Sequence, residues 1–460
     1  MQRAPNTENP GNPGNLGNSE NPENPENPAP ESFCARLLCP NMLSYYSTIT
    51  EKNTMRILCA NVGSTSFKYQ IIDMTTEASL VKGGVERIGN SPSAFTHAVP
   101  GKPARAGEID APTHIDAIAH AMNLVTDAEV GCMAELGELD GVGFKTILAK
   151  GYWRSARITE DVIAALDAST PLAPMHNPAY IASIRAFQEL LPTLPLVAVF
   201  ETWFHQTLPD YAAEFGVPRF WVKQHDIRRY GYHGASHRYI SERVPQMLEN
   251  PSIGAVPNRA GDRLRIISCH LGGSSSLCAI QDGKSVDTSM GTSTQYGMIQ
   301  STRCGELDAF AVLYLMDKEG FSTDEIRQQL IEESGMKGIS GTSGDMRDVE
   351  AAMQAGNDNA RLALETYVYG VKKYIGAYIA ALGGVDVIAF AGGIGEKSAT
   401  TRANICDGLE WCGIRLDAEK NRQVTGEADI SAKDSHTKIL VVSTNEEIIV
   451  ARETARVLSA

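Results

Sequence analysis

Three short segments rich in glycine and small hydroxyl residues stand where strand-like runs end. The first, Asn61-Val-Gly-Ser-Thr-Ser-Phe-Lys68, and the second, Leu271-Gly-Gly-Ser-Ser275, each lie between two such runs. The third, Ala391-Gly-Gly-Ile-Gly-Glu396, follows a strand pattern and precedes a helical one. Small residues let backbone N–H groups approach a phosphate closely, and hydroxyls add further donors. Each segment alone is compatible with an ordinary tight turn, but three in this context favour a polyphosphate site.

Three further segments carry side chains suited to phosphoryl chemistry. Tyr230-Gly-Tyr-His-Gly-Ala-Ser-His237 holds two histidines without the Cys or third His that a zinc site needs, so hydrogen bonding to phosphate or to the loop itself is favoured. Ser301-Thr-Arg-Cys-Gly305 places Arg303 among small residues, where it could clamp a phosphoryl group or form a surface ion pair. In Thr444-Asn-Glu-Glu447 the carboxylates could hold Mg²⁺ or cap a helix.

The overall composition excludes some classes of function. The 460 residues include 41 Lys and Arg against 55 Asp and Glu, a formal net charge of −14. This balance argues against general nucleic-acid binding and against docking on anionic membranes. No apolar run of about 18 residues indicates a membrane span. The nine cysteines are scattered without a Cys-x-x-Cys pair, which favours free thiols in a reducing cytoplasm.

The pattern along the chain changes near Met55. Residues 1–54 are dominated by Asn, Pro, Gly and Glu in their first part, and we expect a disordered extension; an alternative is that translation starts at Met55. Beyond it, strand-like runs such as 146–151, 195–201 and 264–273 alternate with helical patterns. Such alternation predicts an α/β protein.

One segment is echoed within the chain. Residues 61–73 can be laid on residues 271–283, an offset of about 210 residues. That spacing is far too long for a solenoid repeat and is typical of two similar domains. Two facing hairpin tips could then hold the two ends of a polyphosphate.

In their order along the chain these motifs resemble a known family. The matching segments are, in order, ANVGSTSFK, PLAPMHNPA, VAVFETWFH, RYGYHGASH, CHLGGSSS, STRCGELD, SGTSGDMRD, FAGGIGE and STNEE. They are similar to motifs of acetate kinase and its acyl-kinase relatives, in the superfamily of sugar kinases and actin. The resemblance implies two actin-like (ribonuclease H-like) α/β domains with a cleft between them. It divides the chain into 55–206 plus 448–460, on the acyl side, and 207–447, on the nucleotide side. Family members are usually homodimers.

The resemblance also implies roles for residues by motif position. Catalytic roles are expected for Glu201, His233 and Arg303, and Mg²⁺, or Mn²⁺, is expected at Asn61 and Glu446. The acyl substrate is expected beside Lys145, Ile147, Met175, His176, Tyr232 and Thr294. ATP or ADP is expected beside Lys68, Ser268, Cys269, His270, Leu271, Gly272, Asp345, Met346, Arg347, Gly392, Gly393, Ile394, Gly395 and Glu396.

Several positions depart from the family pattern. Lys145 stands for an Arg, Glu201 for an Asp, Tyr232 for a Phe, Thr294 for a Pro and Gly273 for an Asn. A Lys offers a point charge in place of a planar fork. The added hydroxyls would need partners, so we expect weaker use of acetate than is typical of the family.

The expected reaction follows from the charge of a carboxylic acid acceptor at neutral pH. A carboxylic acid is already an ionised nucleophile at pH 7, so no base is required, and the difficulty is to bring two anions together. We therefore expect reversible phosphoryl transfer from ATP to a small carboxylate. The alternatives are another acid, such as propionate or a polar-substituted acid, a sugar-type kinase with Glu201 as base, and a non-catalytic nucleotide-binding regulator.

Overall fold

Eight strands of the first half of the chain form one twisted sheet. The computed structural model describes residues 54–174, 176–251, 253–254, 256 and 263–460. The disorder predicted for residues 1–54 therefore concerns residues outside the described ranges, except for Thr54. Thr54–Ala460 groups as one unit. The strands are β1 (Arg56–Gly63), β2 (Ser66–Asp73), β3 (Ala78–Glu86), β4 (Ser93–Ala98), β5 (Arg105–Ile109), β6 (Gly141–Thr146), β7 (Ala156–Arg157) and β8 (Leu196–Phe200). Their order is β5-β4-β3-β2-β1-β6-β8-β7, with β1, β6 and β8 mutually parallel and the other pairs antiparallel.

Six strands of the second half form a second sheet. They are β9 (Arg265–His270), β10 (Ser276–Gln281), β11 (Lys284–Thr288), β12 (Val387–Ala391), β13 (Ala428–Asp429) and β14 (Lys438–Val441). The order is β11-β10-β9-β12-β14-β13, with β9, β12 and β14 parallel. The run β11-β10-β9-β12-β14 repeats the run β3-β2-β1-β6-β8 of the first sheet, so the expected α/β fold built from two similar sheets is confirmed. Residues 61–73 and 271–283 fall on the equivalent hairpins.

Helices connect the strands and cover the sheets. They are α1 (His114–Val125), α2 (Glu160–Ala168), α3 (Asn177–Leu190), α4 (Asp210–Ala213), α5 (Arg219–His225), α6 (Gly234–Glu249), α7 (Ala309–Glu319), α8 (Thr323–Gln328), α9 (Gly335–Ser340), α10 (Met346–Gln354), α11 (Asp358–Leu382), α12 (Gly392–Lys397), α13 (Ala399–Cys406), α14 (Ala418–Gln423) and α15 (Glu446–Leu458). Across the described residues, each of these helices is too short or too polar to cross a bilayer.

Alternation of buried side chains gives each sheet two covered faces. The first sheet packs against α1 and α3 on one face and against α15 on the other. On β9, Ile266 packs toward α6 and Ile267 toward α11. The last helix lies very close to β6, because a methyl group on Gly143 would stand 2.1 Å from the Thr454 Oγ1 atom. Burial on both faces fixes the two sheets firmly enough to position side chains at their ends.

Two local expectations differ from the structure. The strand predicted at 146–151 is wrong: β6 is Gly141–Thr146, and the buried apolar residues 147–149 continue as a loop at its carboxyl end. A short buried loop and a buried strand give the same apolar signal. The glycine-rich turn at 391–396 is itself the start of α12, which begins at Gly392.

Candidate active site

The candidate site lies where the carboxyl ends of parallel strands from the two sheets come together. Asn61 is near the end of β1, Lys145 near the end of β6, and Glu201 directly follows β8. His270 ends β9, and Glu446 begins α15 after β14. In open α/β sheets the crevice beyond the carboxyl ends of the strands is the usual place for ligands.

Lys145 and Glu446 form a buried ion pair at the centre of this site. The Lys145 ammonium contacts one carboxylate oxygen of Glu446, and the Ser236 hydroxyl donates to the other. Burial alone would lower the pKa of Lys145, but the Glu446 and Glu201 carboxylates outweigh it and raise that pKa. Burial would raise the pKa of Glu446, but Lys145 and then His270 lower it. Asn61 lines the same small cavity of about 10 Å³ as this pair.

Glu201 is the least satisfied group of the site. It is 2% exposed, and neither carboxyl oxygen has a hydrogen-bond partner within the described residues. Burial raises the pKa of Glu201, Lys145 opposes the rise only in part, and the Glu446 carboxylate adds to it. The nearby amides of Gly234 and Ala235 lower this pKa, although neither bonds the carboxyl oxygens; the Gly234 amide donates instead to the Glu201 backbone carbonyl at 3.0 Å. The neighbouring Thr146 hydroxyl is also buried without a partner in the described chain. Buried polar atoms left unsatisfied are costly, and they mark a place where a ligand can supply partners.

Arg303 is held from one side. Its Nη1 donates to the Ser274 hydroxyl at 3.2 Å, to the Gln300 side-chain oxygen at 3.1 Å and to the Thr294 carbonyl at 3.4 Å. The other N–H groups of the guanidinium make no hydrogen bond to any residue that the structure describes. Burial lowers the pKa of Arg303, and it remains a cation. The geometry therefore presents a fixed, charged fork to the site.

Two histidines approach the same centre in the neutral form. His176 precedes the first residue of α3, and burial, with the charges of Arg303 and Lys145, lowers its pKa to about 4. His233 precedes α6 in a left-handed conformation with φ 55°. Burial and the neighbouring His270, 4.7 Å away between ring centres, lower the pKa of His233 well below its usual value. Neutral imidazoles can donate a hydrogen bond without adding charge.

The hydroxyls of Tyr232 and Thr294 have internal partners. Tyr232 donates to the Thr292 carbonyl at 2.6 Å, and the Thr294 hydroxyl accepts from the Gln295 amide at 3.3 Å. Both hydroxyls therefore have a partner inside the protein, although the Thr294 hydroxyl proton has no acceptor among the described residues. Ile147 is buried at the carboxyl end of β6. Met175 lies outside the described residues.

The second and third glycine-rich segments meet. The Leu271 carbonyl accepts from the backbone amides of Ile394 at 2.9 Å and Gly395 at 3.2 Å, and the Leu271 amide donates to Ala391 at 2.8 Å. Gly392 has φ +74°, and a methyl group there would stand 2.6 Å from the Leu271 carbonyl oxygen. Only a glycine fits this approach without strain.

The segment around Asp345 joins this surface through Ser301. The Ser301 amide donates to the Gly273 carbonyl at 2.9 Å, and its hydroxyl donates to the Gly344 carbonyl at 2.7 Å. Asp345 caps α10 and pairs with the exposed Arg347 at 2.6 Å. The Met346 side chain is buried in the core.

Some candidate nucleotide residues do not present side chains to this surface. Ser268 and Cys269 are fully buried within β9, and Gly272 contributes only backbone. Lys68 lies across the first hairpin from Asn61, is exposed, and sits 3.6 Å from Glu86. No hydrogen bond joins it to another candidate nucleotide residue in the described part of the chain.

Three residues of the site were not predicted from the sequence. Ser236 holds Glu446, Gln300 holds Arg303, and Ser276 contacts His233. Ser236 lies inside the motif that supplied His233, and Gln300 directly precedes the motif that supplied Arg303. Proximity to a motif was the available signal, but the role of each depends on tertiary contacts.

Comparisons with known proteins agree with this fold. The model of the Acetokinase family matches residues 56–452, so the chain belongs to the acetokinase family. The chain is 42% identical over 406 residues to the acetate kinase of Phocaeicola vulgatus. The alignment covers 88% of this chain and 100% of the relative.

Two solved structures show the same architecture. The acetate kinase of Porphyromonas gingivalis superposes with a TM-score of 0.77 at 37% identity, covering 88% of this chain and 100% of that one. A propionate kinase of Francisella tularensis subsp. tularensis SCHU S4 superposes with a TM-score of 0.78 at 34% identity, covering 87% and 98%. The expected family membership is thereby confirmed.

Proposed function

We propose that the protein transfers the γ-phosphoryl group of ATP reversibly to a short carboxylate, acetate first, giving an acyl phosphate and ADP. The observation that carries this proposal is the convergence of Lys145, His176, His233 and Arg303 beside buried carboxylates at the facing strand ends. Positive and hydrogen-bond-donating groups gathered in a buried site favour an anionic substrate.

The arrangement suits a transfer in which stabilising negative charge is the main task. The acceptor carboxylate is ionised at pH 7 and needs no base. The open face of Arg303 can donate to two oxygens of the transferring group, and neutral His233 can donate to a third. Lys145 can offer its charge to the acceptor. In this proposal Glu201 orients donors, such as Arg303 or water bound to a metal, and abstracts no proton.

Mg²⁺, or Mn²⁺, is the cofactor that the family implies, and the donor chemistry fits. Asn61 and Glu446 line one small cavity, and Glu201 offers two buried oxygens without partners in the described chain. No group of three or more His, Cys, Asp or Glu residues suited to a metal occurs within the described ranges. Mg²⁺ typically takes one or two carboxylates and completes its shell with water and phosphate oxygens. When bound, the ion would offset charge on the phosphates.

The nucleotide is proposed to lie along the β9–β10 tip and the start of α12. The joined backbone of Leu271, Gly272 and residues 392–396 supports this placement, because α12 begins at the glycines. Asp345, Met346 and Arg347 extend the same surface through Ser301. Lys68 would reach the phosphates from the opposite hairpin.

Propionate or a polar-substituted acid is the second candidate acceptor. The propionate kinase that superposes on this chain with a TM-score of 0.78 favours a family site able to take a longer acid. The internal acceptor of the Tyr232 hydroxyl removes one reason to expect a polar acid, whereas the Thr294 hydroxyl only accepts within the described residues. Lys145 in place of an arginine still lacks a planar fork, so the grip on the acid differs.

Hydroxylamine trapping of the acyl phosphate tests the reaction. The purified protein is supplied with ATP, Mg²⁺ and, in turn, acetate, propionate, a hydroxy acid and glucose, and kcat/KM is compared. We expect hydroxamate with acetate at the highest kcat/KM and none without an acid. Preference for propionate or the hydroxy acid would establish the second candidate. ADP release with glucose and none with the acids would overturn the proposal.

We also propose the domain division 55–206 plus 448–460 and 207–447. The two sheets fall in these two parts, and the buried face of α15 packs on the first sheet.

The seven described cysteines are free, which supports a reducing compartment, and we propose the cytoplasm.

A homodimer is proposed through α7. None of its 11 residues is buried, and Phe310, Leu313 and Tyr314 are 77%, 53% and 60% exposed. Such a patch is typical of an interface, and a second copy is the occupant that the family implies. Light scattering should show a dimer for the protein and for the control Tyr211→Glu, and a monomer for Phe310→Glu with Leu313→Glu. A monomeric parent protein would contradict this proposal.

A further inference from the structure

His233 and three side chains behind it form an unbroken chain of hydrogen bonds. His233 Nδ1 lies 2.7 Å from the Ser276 hydroxyl, and the same hydroxyl lies 2.8 Å from His237 Nε2. His237 Nδ1 lies 2.8 Å from the Ser268 hydroxyl. His237, Ser268 and Ser276 are fully buried, so water does not interrupt the chain.

The number of protons makes this chain directional. A serine hydroxyl donates once, and a neutral imidazole carries one N–H. Burial lowers the pKa of His233 and of His237 well below the usual value, so both rings are neutral. If Ser276 accepted from both rings, its own buried proton would be left without an acceptor among the described residues. With Ser276 donating to one ring and accepting from the other, two arrangements of the chain remain.

In the first arrangement the donors point away from the site. His233 donates from Nδ1 to Ser276, Ser276 donates to His237 Nε2, and His237 donates from Nδ1 to Ser268. The Ser268 hydroxyl proton is then left without an acceptor, because His237 is its sole hydrogen-bond partner among the residues that the structure describes. A buried donor left unsatisfied is strongly disfavoured.

In the second arrangement every donor within the chain is used. Ser268 donates to His237 Nδ1, His237 donates from Nε2 to Ser276, and Ser276 donates to His233 Nδ1. The single proton of His233 is then on Nε2. That atom has no hydrogen-bond partner in the described chain and is not among the buried polar atoms, so it is accessible to a ligand.

We propose that Ser268, His237 and Ser276 are positioning residues that hold His233 as the neutral tautomer with its proton on Nε2, a ready donor to an oxygen of the transferring phosphoryl group. The identity of the acceptor oxygen rests on the proposed function, whereas the tautomer does not. A fixed donor needs no reorganisation when charge develops, which is the advantage of a preorganised site.

Nitrogen-15 NMR of the imidazole rings tests the tautomer in the unmodified protein. The His233 signals are assigned by their loss in His233→Gln. We expect Nδ1 to show the shift of a bare nitrogen and Nε2 that of a protonated one. The opposite pattern, with the proton on Nδ1, would overturn the proposal outright.

Ser268→Ala tests the far end of the chain, two hydrogen bonds away from His233. Loss of its hydroxyl removes the preference between the two arrangements, so we expect a mixture of His233 tautomers and a kcat about tenfold lower, with each KM changed less than twofold. Ser268→Thr keeps the hydroxyl and should restore the Nε2 tautomer. An unchanged His233 spectrum in a folded Ser268→Ala protein would refute the role of Ser268.

Ser285→Ala is the matched control. Ser285 is buried, and its hydroxyl lies 2.9 Å from His205 Nδ1. This serine–histidine contact is similar to those of the hydrogen-bond chain but does not belong to it. The Ser285→Ala substitution should alter the His205 signals and leave those of His233 unchanged. A fully active His233→Gln protein would remove the phosphoryl role of His233, whereas the tautomer measurement would stand independently.

Discussion

The tips of the β1–β2 and β9–β10 hairpins occupy equivalent places in the two sheets, yet they are held differently. At the first tip, the hydroxyls of residues 64–66 make no side-chain hydrogen bond to the described residues, and Ser64 and Thr65 are exposed. At the second, Ser274 donates to Gln300 at 2.6 Å, and Ser275 shares a hydrogen bond of 2.8 Å with Tyr367.

This difference assigns different energetic consequences to the two tips. A tip whose donors are already fixed loses little freedom when a ligand binds, whereas a free tip must be ordered at that moment. Substitutions around the second tip should therefore change chemistry or stability. Substitutions at the first tip should change binding alone.

Loss of Arg303, which is anchored to the second tip through Ser274, should have the largest effect. Arg303→Ala removes a preorganised cationic donor and should lower kcat at saturating substrates by about 10²–10³-fold. The exposed Arg422→Ala on α14 is the control and should retain activity. A fall of less than threefold in a folded Arg303→Ala protein would show that the anchoring has no catalytic purpose.

Gly392→Ala should test the stability side of the comparison. Its φ of +74° and the 2.6 Å approach to the Leu271 carbonyl make a methyl group strained, so the free energy of unfolding should fall by about 2–3 kcal/mol. Gly393→Ala, where a methyl group meets no atom within 4 Å, should unfold at the same denaturant concentration as the parent. Equal midpoints for both variants would mean that the second tip is not rigidly held.

Glu201→Gln should raise stability in a pH-dependent way. Burial raises the pKa of Glu201 above its ordinary value of 4.5, so between the two values the folded state binds more protons than the unfolded state. The contribution of Glu201 to the stability of the parent protein therefore declines as pH rises through this window. The variant should melt about 2–4 °C above the parent at pH 8 and differ little at pH 5, with lower activity.

The exposed Glu189→Gln on α3 controls for the general effect of removing a carboxylate. It should show no such dependence on pH. A Glu201→Gln protein that melts below the parent at pH 8 would show that the carboxylate is stabilised in the folded state.

Lys68→Ala tests the first tip. Because Lys68 is exposed beside Glu86, its loss should leave the melting temperature within about 1 °C and raise the KM for ATP about fivefold. The control is Lys82→Ala on the neighbouring strand β3, which should change neither quantity. A drop in melting temperature with an unchanged KM would reverse the comparison between the tips.

Removal of the extension should have the smallest effect. Thr54–Ala460 groups as a unit apart from residues 1–53, and the family model begins at residue 56. A variant beginning at Met55 should keep its melting temperature and kcat. Loss of soluble protein would mean that the extension contributes to the stability of the folded protein.

Much of the fold was predictable because it depends on local patterns. The β1–β2 hairpin, the long helix α11 and the last helix α15 show clear periodicity or alternation. The boundary of β6 was not predictable, since the apolar residues 147–149 could equally extend a strand or fill a buried loop. The partner of the Tyr232 hydroxyl was also hidden, because the Thr292 carbonyl is 60 positions away.

Motif order and short-range periodicity are properties of the chain alone, and they were enough to predict the family, the repeated sheets and the chemical types of the site residues. Which charges meet depends instead on the folded arrangement. Lys145 and Glu446 are 301 positions apart, and Ser236 and Glu446 are 210 positions apart. These contacts, and the buried oxygens of Glu201, exist because the carboxyl ends of parallel strands from both sheets face one another. Burial there strengthens each charge interaction, and this is a property of the folded arrangement that no local pattern carries.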